Sequence, residues 1–328
     1  MKKKMVVTKT PLRISFFGGG TDIEYFYKKF GGDVFSTTIN KYIYVTVKQH
    51  GEIFRQTYRL NYSESERKKK LSKIKNDIIR ECLKVVKINR PVYISTVGDV
   101  PNSSGLGSSS SFTVGLLKAL YEFESRKINK KDLAELACKI EINILKNYIG
   151  KQDQYAAAYG GLNHISFKKN SKIAVNKKNS YISFLKFLFK NSVLLYTGVT
   201  RNASNILKSQ KKKESIEKLK IIKKLCNEFL VIKKSNLTLK NFSKFLDDSW
   251  KIKSNLSNKT SNKKIDKIFA LSRKYGAQGQ KLLGAGGGGF FFLIIKEKEK
   301  KLFLKNLSKY QFLDLKYEPN GSRTIYQE

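Results

Sequence analysis

VGDVPNSSGLGSSSSF, residues 97–112, sets a glycine–serine loop directly before a run with helical apolar spacing. Gly105 and Gly107 let the main chain approach an anion closely, and the amides left free at a helix start near Ser108 point at it. Phe112, Leu116, Ala119, Leu120 and Phe123 recur at helical spacing, so the helix packs its back against a core while its first turn stays open. The pattern predicts a nucleotide-phosphate site. A lone loop of this composition also fits an ordinary capped helix start, so other segments must decide between the two.

Two segments do. TPLRISFFGGGTD, residues 10–22, and KLLGAGGGGFFFLI, residues 281–294, each join a glycine run to a short strand-like apolar stretch. That combination marks backbone in close contact with a ligand or with other backbone. Three such loops point to one shared site.

Composition bounds what the site serves. With 328 residues, 40% hydrophobic and 12% aromatic, the chain is long enough for two folded domains. Lys and Arg number 66 against 26 Asp and Glu, a formal charge of +40, yet only ten of the cations are arginine and they are scattered. A dedicated nucleic-acid reader concentrates Arg on one face and interleaves aromatics. The excess therefore reads as lysine-rich solvated surface, and no specific nucleic-acid partner is expected. A positive field still gathers ATP and sugar phosphates. Cys82, Cys138 and Cys226 lack C-x-x-C spacing and His50 and His164 are the only histidines, which argues against a zinc site and a disulfide framework. Reduced thiols, no secretion signal and no apolar run long enough to cross a bilayer lead us to expect a cytoplasmic protein.

Along the chain, alternation predicts strands over 39–48 and 91–97. A helix is expected over 130–147, with Asn129 as N-cap and Leu133, Leu136, Ala137, Ile140 and Ile144 on one face. The polar stretch 168–180, followed by an apolar strand over 192–196, predicts a domain division at residue 188. This gives domains 1–188 and 189–328. Helices over 203–232, 238–254 and 263–275 and strands over 289–295 and 311–317 follow.

Pro101–Ser109 satisfies every fixed position of P-x-x-x-G-L-G-S-S, and with the two flanking glycine segments it resembles the three motifs of the GHMP small-molecule kinases. Within that family the likeness is to the D-glycero-D-manno-heptose 7-phosphate kinases. It is carried by PLRISFFGGGTD, by GKQDQYAAAYGGLN (150–163), LLYTGVTRNAS (194–204) and KLLGAGGGGF (281–290), and by the closing NGSR (320–323). The resemblance implies an α+β fold in two domains, the first like domain 2 of ribosomal protein S5 and the second a ferredoxin-like α/β plait. It implies ATP and Mg2+ as cofactors and a sugar phosphate as acceptor. The expected product is the 1,7-bisphosphate, phosphorylated at the anomeric hydroxyl, which feeds nucleotide-activated heptose for lipopolysaccharide or capsule. A fucose- or hexosamine-type 1-kinase is the alternative within the family. A basic nucleic-acid-binding protein with an S5-like domain is the alternative outside it.

The same resemblance assigns residues. Pro101, Ser104, Gly105, Leu106, Gly107, Ser108, Ser109 and Ser110 are expected at the ATP phosphates. Asp153 is expected as catalytic base with Arg13 beside it, and Glu141, half buried at the edge of its helix stripe, as magnesium ligand with Ser109. Arg13, Gly19, Gly20, Asp22, Asp153, Arg201, Lys281, Gly286 and Gly287 are expected around the acceptor. Where the galactose-type kinases read G-E-H-T-D, residues 18–22 read GGGTD, losing the two side chains that grip a free hexose. Bare amides at Gly19 and Gly20 would then suit a larger or already phosphorylated sugar.

Overall fold

The computed structural model describes residues 3–51, 53–201, 203–210 and 213–328. The chain opens with β1 (Met5–Phe17), α1 (Glu24–Phe30), β2 (Gly32–Gln49), β3 (Tyr58–Asn61), β4 (Ser65–Lys68), α2 (Asp77–Val86) and β5 (Val92–Gly98). The phosphate loop then leads into α3 (Ser108–Phe123), α4 (Lys130–Cys138) and α5 (Gln152–Tyr159), followed by β6 (Leu162–Phe167), β7 (Ile173–Lys177) and α6 (Ile182–Lys190). The second half runs β8 (Ser192–Tyr196), α7 (Ala203–Ser209), α8 (Lys213–Leu230), α9 (Leu239–Ser254) and α10 (Lys263–Lys274). It closes with β9 (Gly279–Leu282), β10 (Phe290–Ile294), α11 (Glu297–Asn306), β11 (Gln311–Leu313) and β12 (Arg323–Gln327).

Two sheets organise these elements. The larger has the order β12-β1-β2-β5-β3-β4, and the 18-residue β2 also pairs with β6 over Gly32–Thr37. Helix α3 packs across β1 and β2, burying Leu116, Ala119, Leu120 and Phe123 as its spacing requires. The smaller sheet has the order β11-β8-β10-β9, antiparallel throughout. Its chain order is strand, helices, two strands, helix, strand, with the first and third strands central, which is the ferredoxin-like plait. The last strand, β12, leaves the plait and returns to the larger sheet.

Aromatic side chains weld the sheets together. Phe16 of β1 meets Phe242 of α9 and Phe292 of β10 edge-on at 5.2 and 5.4 Å, while Phe17 lies 4.6 Å from Phe229 of α8. Each ring buries a large apolar area and prefers such tilted contacts. The glycines that follow Phe17 are therefore held against the second half of the chain.

Some elements differ from the sequence expectation. The helix over 130–147 starts on its Asn129 cap, but α-geometry ends at Cys138 and a π-helical turn, Lys139–Ile144, continues it. The wider turn rotates the face: Ile144 is 37% exposed and Glu141 is fully buried rather than half buried. The strand over 39–48 is the second half of β2, and the strand over 311–317 stops at Leu313, with only a bridge from Tyr317 to Ile39 beyond it. The helix over 203–232 is described as α7 and α8. Residues 211 and 212, like Asn202, lie outside the described residues. Residue 188 falls inside α6.

Candidate active site

The phosphate loop is pinned from two sides. Arg13 N of β1 donates to Leu106 O at 3.0 Å, and Phe290 N at the start of β10 donates to Ser104 O at 3.1 Å. Gly105 (φ +82°) and Gly107 (φ +78°) adopt the left-handed conformation that glycine enters without strain, Gly107 immediately before α3. A Cβ on Gly105 would sit 2.8 Å from Leu283 O, and one on Gly284 would sit 2.6 Å from Gly105 Cα. The strand that leads into the first glycine run and the third glycine run itself thus both touch the loop, and a side chain at Gly105 or Gly284 would force loop and third run apart. The serines of the first turn of α3, Ser108, Ser109 and Ser110, line the resulting cavity.

Beside that turn stands a fork. Arg13 Nε and Nη2 donate to Asp153 Oδ1 and Oδ2, both at 2.7 Å, and Nη1 donates to Gly105 O at 2.6 Å. Asp153 lies in the first turn of α5, and Asp22 fixes where that helix begins. The Asp22 carboxylate, 1% exposed, accepts from Gln152 N at 3.0 Å, Gln152 Nε2 at 3.1 Å and Gly20 N at 3.0 Å. Burial raises its pKa, opposed by those hydrogen bonds. At its other end α5 is held by the closing NGSR: Ser322 N donates to Ala157 O at 2.8 Å, and Gly321 packs where a Cβ would lie 2.1 Å from Ala158 O.

Across the cavity Glu141 Oε1 accepts from Ser109 Oγ at 3.1 Å and Oε2 from Gln154 Nε2 at 2.6 Å. Burial pushes its carboxyl up to about 7, against the lowering effect of these partners. All its hydrogen-bond partners are neutral, and it lines the cavity with Ser109. A buried carboxylate and a hydroxyl are hard oxygen donors of the kind magnesium takes when phosphate oxygens and water complete its shell. The residues present fit that ion. Among the described residues no group of three or more His, Cys, Asp or Glu forms a self-sufficient metal cage.

The remaining expected residues divide. Gly19, Gly20, Asp22, Arg201 and Gly286 line the same cavity as Arg13 and Asp153. Pro101, Ser104, Leu106 and Gly287 do not; Ser104 and Leu106 are buried behind the loop, and Gly287 packs against Ile206 and Lys259 O. Gly20 has no bare amide to offer, because Asp22 occupies it. Lys281 is also displaced from its expected place: the whole of β9 is buried, and its Nζ donates inward to Phe16 O and to Ser249 Oγ at 3.1 Å. Lys253 of α9 lines the cavity together with Arg13 and Arg201, and its Nζ donates to Gly284 O. Sequence reasoning passed it over. Its signal was spacing, since Phe242, Leu246, Ser249, Trp250 and Lys253 occupy one buried helix face, where an unpaired lysine is anomalous.

Among the described residues no helix is long and apolar enough to cross a membrane, and the three cysteines are free and buried.

Comparison with known proteins agrees with this geometry. Residues 74–161 match the family model for the GHMP kinases N terminal domain, and residues 232–310 that for the GHMP kinases C terminal domain. The chain is 34% identical over 295 residues to D-glycero-alpha-D-manno-heptose 7-phosphate kinase of Campylobacter jejuni, spanning 86% of this chain and 87% of that one. It is 26% identical to a galactokinase of Pyrococcus furiosus over 67% of this chain and 60% of that one. The crystal structure of a D-glycero-D-manno-heptose 1-phosphate kinase from Bacteriodes thetaiotaomicron superposes with a TM-score of 0.78 at 25% identity, covering 98% of this chain and 99% of that one. Likeness of this extent, with both halves of the family pattern matched, makes the chain a member of the GHMP kinase family and an ATP-dependent sugar kinase.

Proposed function

We propose that the chain transfers the γ-phosphate of ATP to the anomeric hydroxyl of D-glycero-D-manno-heptose 7-phosphate, giving the 1,7-bisphosphate for nucleotide-activated heptose and surface polysaccharide. The observation that carries the reading is the Arg13–Asp153 fork at the mouth of the phosphate loop. Phosphoryl transfer asks little covalent work of the protein, so catalysis is chiefly positioning and charge compensation. Each Asp153 oxygen takes one bond from Arg13 and keeps a lone pair for the acceptor hydroxyl. Arg13 fixes the carboxylate plane and, through Gly105 O, its distance from the phosphate loop.

Ser109 and Glu141 are the residues we assign to magnesium. When bound there, the ion would neutralise charge on the terminal phosphates. The first-turn amides of α3 hold the phosphates, and the third glycine run closes over the loop.

For the acceptor, the 34% identical Campylobacter jejuni relative is named for a heptose 7-phosphate. Arg201 supports a phosphorylated substrate: it is exposed on the cavity lining, with Nε donating to Gly287 O at 3.4 Å, and a guanidinium matches phosphate oxygens in a planar fork. The test is steady-state kinetics with ATP on heptose 7-phosphate, the free heptose, fucose and hexosamines. The reading expects heptose 7-phosphate to be used far more efficiently than free heptose. Equal efficiency on both, or better use of fucose or a hexosamine, overturns the acceptor.

A further inference from the structure

Around Gly19 three polar side chains converge, each with hydrogen-bonding capacity left over. A Cβ placed on Gly19 would lie 3.3 Å from Ser15 Oγ, 3.6 Å from Gln152 Nε2 and 3.9 Å from Lys253 Nζ, so all three stand on the side of Gly19 that a side chain would occupy. Ser15 is 7% exposed and Lys253 8%, and all four residues line the cavity. Ser15 Oγ and Gln152 Oε1 are buried with no hydrogen-bond partner. Lys253 carries three N–H donors, and its one hydrogen bond goes to Gly284 O. Folded proteins leave few buried polar groups unsatisfied, and a cluster of them facing one cavity marks where a ligand supplies the partners.

The chemistry of that ligand can be read from the donors and acceptors. Gln152 cannot turn its amide round freely, because Asp22 is an acceptor-only carboxylate and takes Nε2 at 3.1 Å, leaving Oε1 as the free end. The cluster therefore offers donors from Lys253, an acceptor on Gln152 and either role on Ser15. A hydroxyl, which donates once and accepts twice, satisfies all of them. A phosphate is acceptor-only and would face Gln152 Oε1, with the carboxylates of Asp22 and Asp153 near enough to influence Lys253. Burial lowers the Lys253 pKa to about 8, so near neutral pH the ammonium is retained in a dry site, where a hydrogen bond from it counts most.

We infer that Ser15, Gln152 and Lys253 form a subsite for a neutral sugar hydroxyl, the one on the carbon next to the phosphorylated position, with the acceptor's own phosphate directed away from it. The inference rests on the sugar-kinase reading and deepens it. It divides the acceptor cavity into a hydroxyl end beside Asp153 and an anionic end toward Arg201. Gly19 is then needed for room, since a side chain there would reach into the space between these three groups and the hydroxyl.

The test compares kcat/KM for heptose 7-phosphate and its 2-deoxy analogue in the wild type, Ser15→Ala and Lys253→Met, with thermal melting and ATP binding as fold controls. The wild type is expected to prefer the full substrate at least ~10-fold, since a site built to hydrogen-bond a hydroxyl rejects the analogue lacking it. In both variants that ratio should collapse severalfold toward unity. An unchanged ratio in Ser15→Ala overturns the subsite even if Lys253→Met fails to fold. Should the wild type use another sugar instead, the heptose reading fails separately, and the same ratio, taken with that sugar's deoxy analogue, decides the subsite. A wild type that phosphorylates no sugar overturns both.

Discussion

Arg13 and Asp153, 140 residues apart in the chain, meet in a two-bond fork of 2.7 Å on each arm. The strand that carries Arg13 also docks the phosphate loop, so the loop and the carboxylate share one rigid mount. Two parallel bonds fix a carboxylate's plane as well as its position, which one bond cannot do.

Asp153→Asn removes the proton acceptor and half of the fork while leaving the glycine loop untouched. Turnover should fall about 100- to 10,000-fold, the usual contribution of a positioned general base. Nucleotide affinity, followed by fluorescence titration, should change little. Near-normal turnover would remove Asp153 from the reaction.

Glu141→Gln and Ser109→Ala each delete one oxygen ligand from the assigned magnesium position. Both should raise the magnesium concentration giving half-maximal activity at fixed ATP. Curves that coincide with the wild type would show that this pair does not hold the ion.

The Lys253 amine faces Arg13, Asp22, Asp153 and Lys281, and burial brings its pKa down to about 8 from an ordinary 10.5. As pH rises through about 8 the ammonium is lost, and kcat/KM for the sugar should fall with it. Lys253→Met should lack that limb. The stability effect has the opposite sign: between about 8 and 10.5 the unfolded chain holds the proton and the folded chain does not, so this group makes the fold more stable as pH rises. A calorimetric melt across that range, in wild type and Lys253→Met, reads it directly.

Gly105→Ala puts a methyl 2.8 Å from Leu283 O at a φ of +82°. Both the strain and the clash push the third glycine run off the phosphate loop. The variant should melt at a lower temperature, and its KM for ATP should rise more than its KM for sugar. A selective loss on the sugar side would contradict the role given to this contact.

Much of this site was legible in the sequence because it is built from local chemistry. The close-approach glycines at 105 and 107 and the helix starting at Ser108 follow from short-range pattern, while Asp153 came from the family resemblance. What the sequence hid depends on helix geometry, side-chain hydrogen bonds and packing that apolar spacing does not signal. Glu141 turns fully inward because a π-helical turn replaces α-geometry over Lys139–Ile144, a change that no apolar spacing signals. Lys281 is swallowed because β9 is buried on both faces, and Gly20 loses its free amide to Asp22, two residues away. Lys253 sits in a lysine-rich helix whose neighbour Lys251 is exposed, so composition disguised a lysine that lines the cavity.

The most direct measurement is phosphorus NMR of the product formed by the wild-type protein from ATP, Mg2+ and D-glycero-D-manno-heptose 7-phosphate. The account predicts one new phosphomonoester resonance coupled to the anomeric proton, appearing in step with ADP and nearly abolished in Asp153→Asn. A phosphate appearing at any other carbon, or ADP released with no sugar product, would contradict it.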